Sequence, residues 1–214
     1  MLTVHGRANS PNVAMVMWAL AELGLTPRRL DVGGPFGGTD TPAFRAMSPM
    51  GFVPVLVDDH VTLFESGAIL RYLASRYGHF PFWPADPVAR APVDMWAEWA
   101  KVTLSADFLG PVFRKMVLVP KADRDQAEID AAIRRVDRDL DALERQLAGK
   151  SFVTGPDLTL ADIPIGTLLY RYFTLEIPRP HRPGLAAYYT RLTERRADAE
   201  HVMIPWQSLR VPGA

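Results

Sequence analysis

The chain has 214 residues, 48% hydrophobic and 22% charged, and its 24 basic and 24 acidic side chains give a formal net charge of zero. That length buries a substantial core in one domain or two, and that charge balance sets up no bulk field toward nucleic acid or an acidic membrane surface. There is no cysteine, which excludes disulfides, thiolate metal sites and a protein-based thiol redox cycle.

Residues 1–5 alternate apolar and polar and predict a short strand, followed by a loop at RANSPN. No basic flank precedes a long apolar run, so neither signal peptide nor membrane span is predicted, and the cytoplasm is the expected compartment. Val13, Val16, Met17, Leu20 and Leu23 recur at helical spacing, with Gly24 as the stop. Ser10, Pro11 and Asn12 stand where the cap and first turn of this helix belong. They leave backbone N–H groups and a positive dipole end facing whatever lies above, an anion site in form. The simpler reading of Ser10 is a helix cap.

Residues 27–32 predict a second strand, with the helix as crossover between the two. GGPFGGTDTPAF is its exit loop, and Phe36 is expected to pin it. After a turn of helix at 44–47, the run 53–57, the turn Asp58-Asp59-His60 and the run 61–64 predict a hairpin. Glu65-Ser66 stands directly before a helix marked by Ile69, Leu70, Leu73 and Tyr77. A proline inside a strand would remove a ladder donor, so Pro54 is expected at a strand start or at a cis turn.

The proline-rich stretch HFPFWPADPVAR ends the strands and is predicted to contain a linker at 80–87, between domains 1–79 and 88–214. Beyond it the period is helical: 88–117, 123–147, 160–174 and 184–195, then a tail. Ile129, Ile133, Val136, Leu140, Leu143 and Leu147 give the second of these the face of a bundle helix. Thr159-Leu-Ala-Asp162 has the form of an N-terminal capping box, with Leu158 and Ile163 as a hydrophobic staple, and a folding role is expected for it. The five histidines show no metal-ligand spacing, and no metal is expected. Arg7 is assigned to the surface.

The order is strand, helix, strand, then hairpin and helix, then about 130 residues of helix. This order, together with NSPNV, TPAFRAMSPMGFVPVLVDDHVTLFESGAILRYLASRYG and FVTGPDLTLADIPIG, resembles the glutathione transferase superfamily, in particular serine-type bacterial cytosolic members. The resemblance covers essentially the whole chain. It implies an α/β thioredoxin-like N-terminal domain (βαβ then ββα) followed by an all-α helical-bundle C-terminal domain. It further implies glutathione as co-substrate, a homodimer, no nucleic-acid or membrane partner, and conjugation of the glutathione thiolate to small hydrophobic electrophiles in detoxification. Alternatives are another glutathione-dependent reaction (dehalogenase, peroxidase, isomerase or disulfide-bond reductase) or a non-enzymatic relative that kept the fold.

Residue by residue, the resemblance makes Pro54 cis and has Val53 pair its backbone with the cysteinyl part of glutathione. Glu65 takes the γ-glutamyl ammonium, and Ser66 with the backbone N–H groups of its helix takes the α-carboxylate. Ser10 is the first candidate for the donor to sulfur and Asn12 the second. Phe52 belongs to the same glutathione-binding stretch but stands where relatives carry Lys or Gln. Ser48-Pro49 replaces the usual Asn-Pro, and Met15 replaces a basic residue. For the electrophile pocket, Phe108, Met116, Tyr170, Phe173 and Trp206 are candidates by position, each with a core role as its simpler reading.

Overall fold

The computed structural model describes residues 1–214. They form two compact units, Met1–Arg90 with Arg195–Ile204, and Ala91–Glu194 with Pro205–Ala214. The sequence reading leaves 195–204 in the C-terminal tail of the helical region, whereas the contacts group it with the first unit.

The first unit is built on a four-stranded sheet of order β2-β1-β3-β4. Strand β1 (Leu2–His5) pairs in parallel with β2 (Arg28–Leu30), Val4 opposite Arg29, across the crossover helix α1 (Pro11–Glu22). On its other side β1 pairs antiparallel with β3 (Val55–Asp58), Val4 opposite Leu56, and β3 pairs with β4 (Val61–Phe64) through the hairpin at Asp59-His60. Pro54 directly precedes β3, so its missing N–H removes no ladder bond. Val4, Val13, Val16, Leu20, Leu56, Ile69 and Leu73 make one apolar cluster, which joins the sheet to α1 and to α3 (Ser66–Tyr77). Helix α1 ends as its glycine predicts. Gly24 has φ +70°, its N–H reaches Ala21 O, and Leu25 N–H reaches Leu20 O, which satisfies the last carbonyls.

Three further details follow from side-chain chemistry. Thr41 accepts from Phe44 N–H at 3.3 Å and starts the short helix α2 (Pro42–Met47). Asp58 is buried and accepts from Tyr72 Oη at 2.8 Å and Tyr77 Oη at 2.6 Å, which fastens the hairpin to α3. In the proline-rich stretch, Phe82 and Trp83 are buried, and Trp83 Nε1 donates to Ser75 on α3.

In the second unit the predicted helix 88–117 is a helical run with two wide-turn interruptions. It comprises α4 (Pro87–Trp99), a π segment Ala100–Leu104, α5 (Ser105–Phe108), a second π segment Leu109–Arg114, and α6 (Lys115–Leu118). Pro111 lies in the second π segment, where a residue with no N–H cannot continue the α-helical ladder. Helix α7 (Gln126–Gln146) starts on Asp125, whose carboxylate accepts from Glu128 N–H, and buries Ile129, Ala132, Val136, Leu140 and Leu143. Helix α8 (Asp162–Thr174) is buried along nearly its whole length and packs against α9 (Pro183–Thr193). At its head Asp162 is 0% exposed. One oxygen takes Thr159 N–H at 2.8 Å and Thr159 Oγ1 at 3.1 Å, and the other takes Val153 N–H at 3.0 Å and Tyr188 Oη at 2.7 Å. The predicted capping box is therefore larger than a local motif, because its acid also holds a loop and α9.

The short helix α10 (Arg196–His201) packs against α1 in the first unit. Arg195 grips Glu22 with two bonds of 2.7 and 2.6 Å, and Glu22 also accepts from Trp18 Nε1. No helix is long and apolar enough to cross a membrane.

Candidate active site at the heads of α1 and α3

The loop between β1 and α1 is shaped by a close approach. A Cβ on Gly6 would fall 2.4 Å from Val13 Cγ2 and 3.1 Å from Val53 Cβ, and its φ is +153°, so a glycine is needed where the chain passes between α1 and Val53. Ser10 follows as the N-cap residue of α1, with extended φ and ψ of −80° and 128°, and its backbone carbonyl accepts from Ala14 N–H. Its side chain makes no cap hydrogen bond, although the residue is only 4% exposed. The simple cap reading of Ser10 therefore fails, and its hydroxyl is not committed to the helix. Pro11 at the first helical position lacks the N–H that would be unpaired there, and no acidic side chain in the first turn offsets the dipole's positive end.

Arg7, assigned to the surface from the sequence, is half-buried. Its stem and guanidinium lie under Gly34, where an added Cβ would be 3.0 Å from Cδ and Nε, and it donates to Asn9 Oδ1. Burial pushes its pKa down, yet a guanidinium remains charged, so a half-buried cation sits beside the loop that leads to α1. Phe36, expected to pin the neighbouring glycine loop, is 57% exposed. That loop is held instead by backbone bonds between Gly33 and Gly37 and by Arg7.

The second element is the approach to β3. The Val53–Pro54 peptide bond is cis, and Val53 packs against the apolar cluster of the unit. Phe52 is 66% exposed. Both of its backbone polar groups are taken by one side chain, since its N–H donates to Ser48 Oγ at 3.2 Å and its carbonyl accepts from Ser48 Oγ at 3.0 Å. Ser48, which stands where an Asn is usual, thus shapes this turn.

The third element is the start of α3. Glu65 is exposed and has φ 67° and ψ 111°, a region non-glycine residues seldom occupy and one that costs on the order of 1 kcal/mol or more. It makes no side-chain cap bond. Ser66, the first residue of α3, is 2% exposed, and its hydroxyl donates to Asn12 Oδ1 at 3.2 Å across 54 residues of sequence. Asn12 and Ser66, picked out separately from the sequence, are therefore in contact, while Gly6 sets Val53 against the same helix. No group of three or more His, Asp or Glu side chains is placed to hold a metal ion.

Comparison with known proteins gives this geometry its family. Residues 4–81 match the model for the glutathione S-transferase N-terminal domain, and residues 126–191 match that for the C-terminal domain. The chain belongs to the glutathione S-transferase family. It is 39% identical over 207 residues to glutathione S-transferase GstB of Escherichia coli, covering 96% of this chain and 99% of that one. It is 34% identical over 190 residues to glutathione S-transferase 3 of Zea mays, with 87% and 83% covered. The crystal structure of the theta class enzyme of Xanthomonas axonopodis pv. citri with glutathione bound superposes at a TM-score of 0.90. That pair is 39% identical, with 95% and 98% of the two chains covered. The first unit is accordingly a thioredoxin-like domain, and the second corresponds to the family's helical domain.

The remaining sequence candidates lie in the second unit. Phe108 and Trp206 are fully buried there, each against Phe113, with ring centroids 6.3 and 5.1 Å apart, and Trp206 Nε1 donates to Thr174 Oγ1. Tyr170 is buried as well, whereas Met116 and Phe173 are half-buried. Packing within their own unit accounts for Phe108 and Trp206, as their simpler reading has it. Missed from the sequence were the placement of Arg7 beneath Gly34, the two bonds by which Ser48 holds Phe52, and the bond between Asn12 and Ser66. The signal for Ser48 was its place in the SPMG turn, whereas nothing local marks the other two.

Proposed function

We propose that this protein is a cytoplasmic homodimeric glutathione S-transferase that joins the glutathione thiolate to small hydrophobic electrophiles. The observation that carries the reading is the hydrogen bond from Ser66 to Asn12, which unites a polar helix head suited to a carboxylate with a donor-lined loop suited to a thiolate. Glutathione's thiol resembles a free cysteine, with a pKa above neutrality, and only the thiolate attacks efficiently. Ser10, Asn12 and the uncompensated head of α1 supply hydrogen-bond donors and positive potential to that sulfur. Lowering the thiol pKa by about two units corresponds to roughly 2.7 kcal/mol, within the reach of one or two aimed donors and the dipole.

In this reading Val53 pairs with the cysteinyl backbone, Glu65 accepts from the γ-glutamyl ammonium, and the head of α3 receives the α-carboxylate. With a chloroarene as acceptor, the thiolate attacks the carbon that bears chlorine, a C–S bond forms, the C–Cl bond breaks and chloride departs. The thiol proton has already passed to solvent, so no general base is needed. Exposed Met50, Phe52 and Phe64 support a homodimer, as apolar surface for a second copy to cover. Purified protein is expected to turn over a chloroarene with glutathione, more slowly after Ser10→Ala or Asn12→Ala. No heat of glutathione binding at millimolar ligand would sink the proposal.

A further inference from the structure

Glutathione carries two carboxylates, and the reading above gives a partner to the γ-glutamyl one alone. The glycine carboxylate is left over. Phe52, which stands where relatives carry Lys or Gln, has no charge to offer it, and its N–H is already given to Ser48 Oγ.

Arg7 is a cation placed to take that role. It sits between two glycines that border Val53. A Cβ on Gly6, directly before it, would fall 3.1 Å from Val53 Cβ, and its side chain lies against Gly34, whose neighbour Gly33 would bring a Cβ within 3.5 Å of Val53 Cγ1. Its N–H donates to Val32 O at 3.1 Å and its carbonyl accepts from Ser10 N–H at 3.2 Å, so it ties the exit of β2 to the approach to α1. Val53 is assigned to the cysteinyl backbone, and the glycine of the tripeptide is the next residue, at most about 3.6 Å farther along.

No acidic side chain pairs with Arg7. Its guanidinium donates to the neutral amide oxygen of Asn9, and burial lowers its pKa with no carboxylate to offset it. A charge drawn part-way out of water costs free energy until a counter-charge meets it. Other arginines of this unit are committed or outlying: Arg29 pairs with Asp31, Arg76 pairs with Asp58, and Arg45 is exposed on α2 and donates to Pro49 O.

We propose that Arg7 binds the glycine carboxylate of glutathione and so selects the full tripeptide. This rests on the functional reading above. The guanidinium keeps N–H groups beyond the one given to Asn9, and its planar fork matches the two oxygens of a carboxylate.

The test compares glutathione with its glycine amide, in which a neutral amide replaces that carboxylate, as co-substrates with one chloroarene in the full-length protein. Wild type is expected to show a KM about tenfold lower for glutathione than for the amide. Arg7→Met should bring that ratio to about one, by raising KM for glutathione and changing KM for the amide less than about twofold. Arg7→Lys, which keeps the charge and loses the fork, should give an intermediate ratio. Arg45→Met should keep the wild-type ratio.

Equal losses for both co-substrates in Arg7→Met would make the residue a support for its loop and overturn the proposal. A raised pKa of the bound thiol with the ratio unchanged would place its charge at sulfur instead, and a ratio lost in Arg45→Met but kept in Arg7→Met would assign the carboxylate to α2. Either result overturns it. Should Arg7→Met not fold, Arg7→Gln decides on the same ratio, since its amide can still donate to Asn9. A wild-type protein that binds no glutathione removes the function and this inference together, whereas one that uses glutathione and its amide equally well removes the inference alone.

Discussion

The head of α1 and the head of α8 start from similar sequence. Each opens with a small hydroxyl residue, Ser10 or Thr159, and a polar partner two or three positions on, Asn12 or Asp162. At α8 four donors converge on Asp162, which no solvent reaches. At α1 the Ser10 side chain makes no cap bond, and the first turn carries no acidic residue. The first is a structural knot, and the second is where we propose that the sulfur binds. What separates them is whether the hydroxyl of the opening residue is bonded within its own helix head, as Thr159 is and Ser10 is not, because a group already satisfied has less to offer a ligand.

The largest effect expected from this contrast is on stability at α8. Asp162→Ala strands donors from a loop, the helix start and α9, and should cost about 4 kcal/mol in urea unfolding, or prevent folding outright. Ser10→Ala should cost less than about 0.5 kcal/mol in the same experiment, and a loss comparable to Asp162→Ala would erase the distinction. For turnover the order reverses. Replacing Ser10 and Asn12 together by Ala should lower kcat/KM about 100-fold or more, roughly 3 kcal/mol of transition-state stabilisation, with the fold retained.

Next comes a pH effect at the clasp between α1 and α10. Asp198 is buried, one of its oxygens has no hydrogen-bond partner, and burial, with Glu22 nearby, pushes its pKa from 3.8 to about 7. Protonation therefore favours the folded state. The contribution is complete below about pH 4 and is lost as pH rises through about 7. Asp198→Asn should stabilise the protein by about 2 kcal/mol at about pH 8 relative to wild type and bring little gain near pH 4, as read by thermal melts. A gain equal at both would show that the carboxyl's charge is not the cause. A smaller effect than that at Asp198 is expected at Thr41, a hydroxyl that does cap its helix. Thr41→Ala should cost about 1 kcal/mol, intermediate between Asp162 and Ser10, as its single bond implies.

Much of this molecule was determined by its sequence alone. Apolar spacing marked α1, α3, α7 and α8, because a buried helix face must recur every three to four residues. Pro54 marked the start of β3 and Gly24 the end of α1, because each constrains the backbone locally. The motifs at 10–12, 53–54 and 65–66 carried the family. Tertiary structure alone decided how the groups meet. That Ser66 reaches Asn12, that Arg7 lies beneath Gly34, that Asp162 collects a donor from α9, and that residues 195–204 return to α1 all depend on contacts between distant segments. Periodicity reports which face of an element is buried but not what it is buried against. For a polar side chain, that partner settles whether its hydrogen bonds are spent on the fold or left for a substrate.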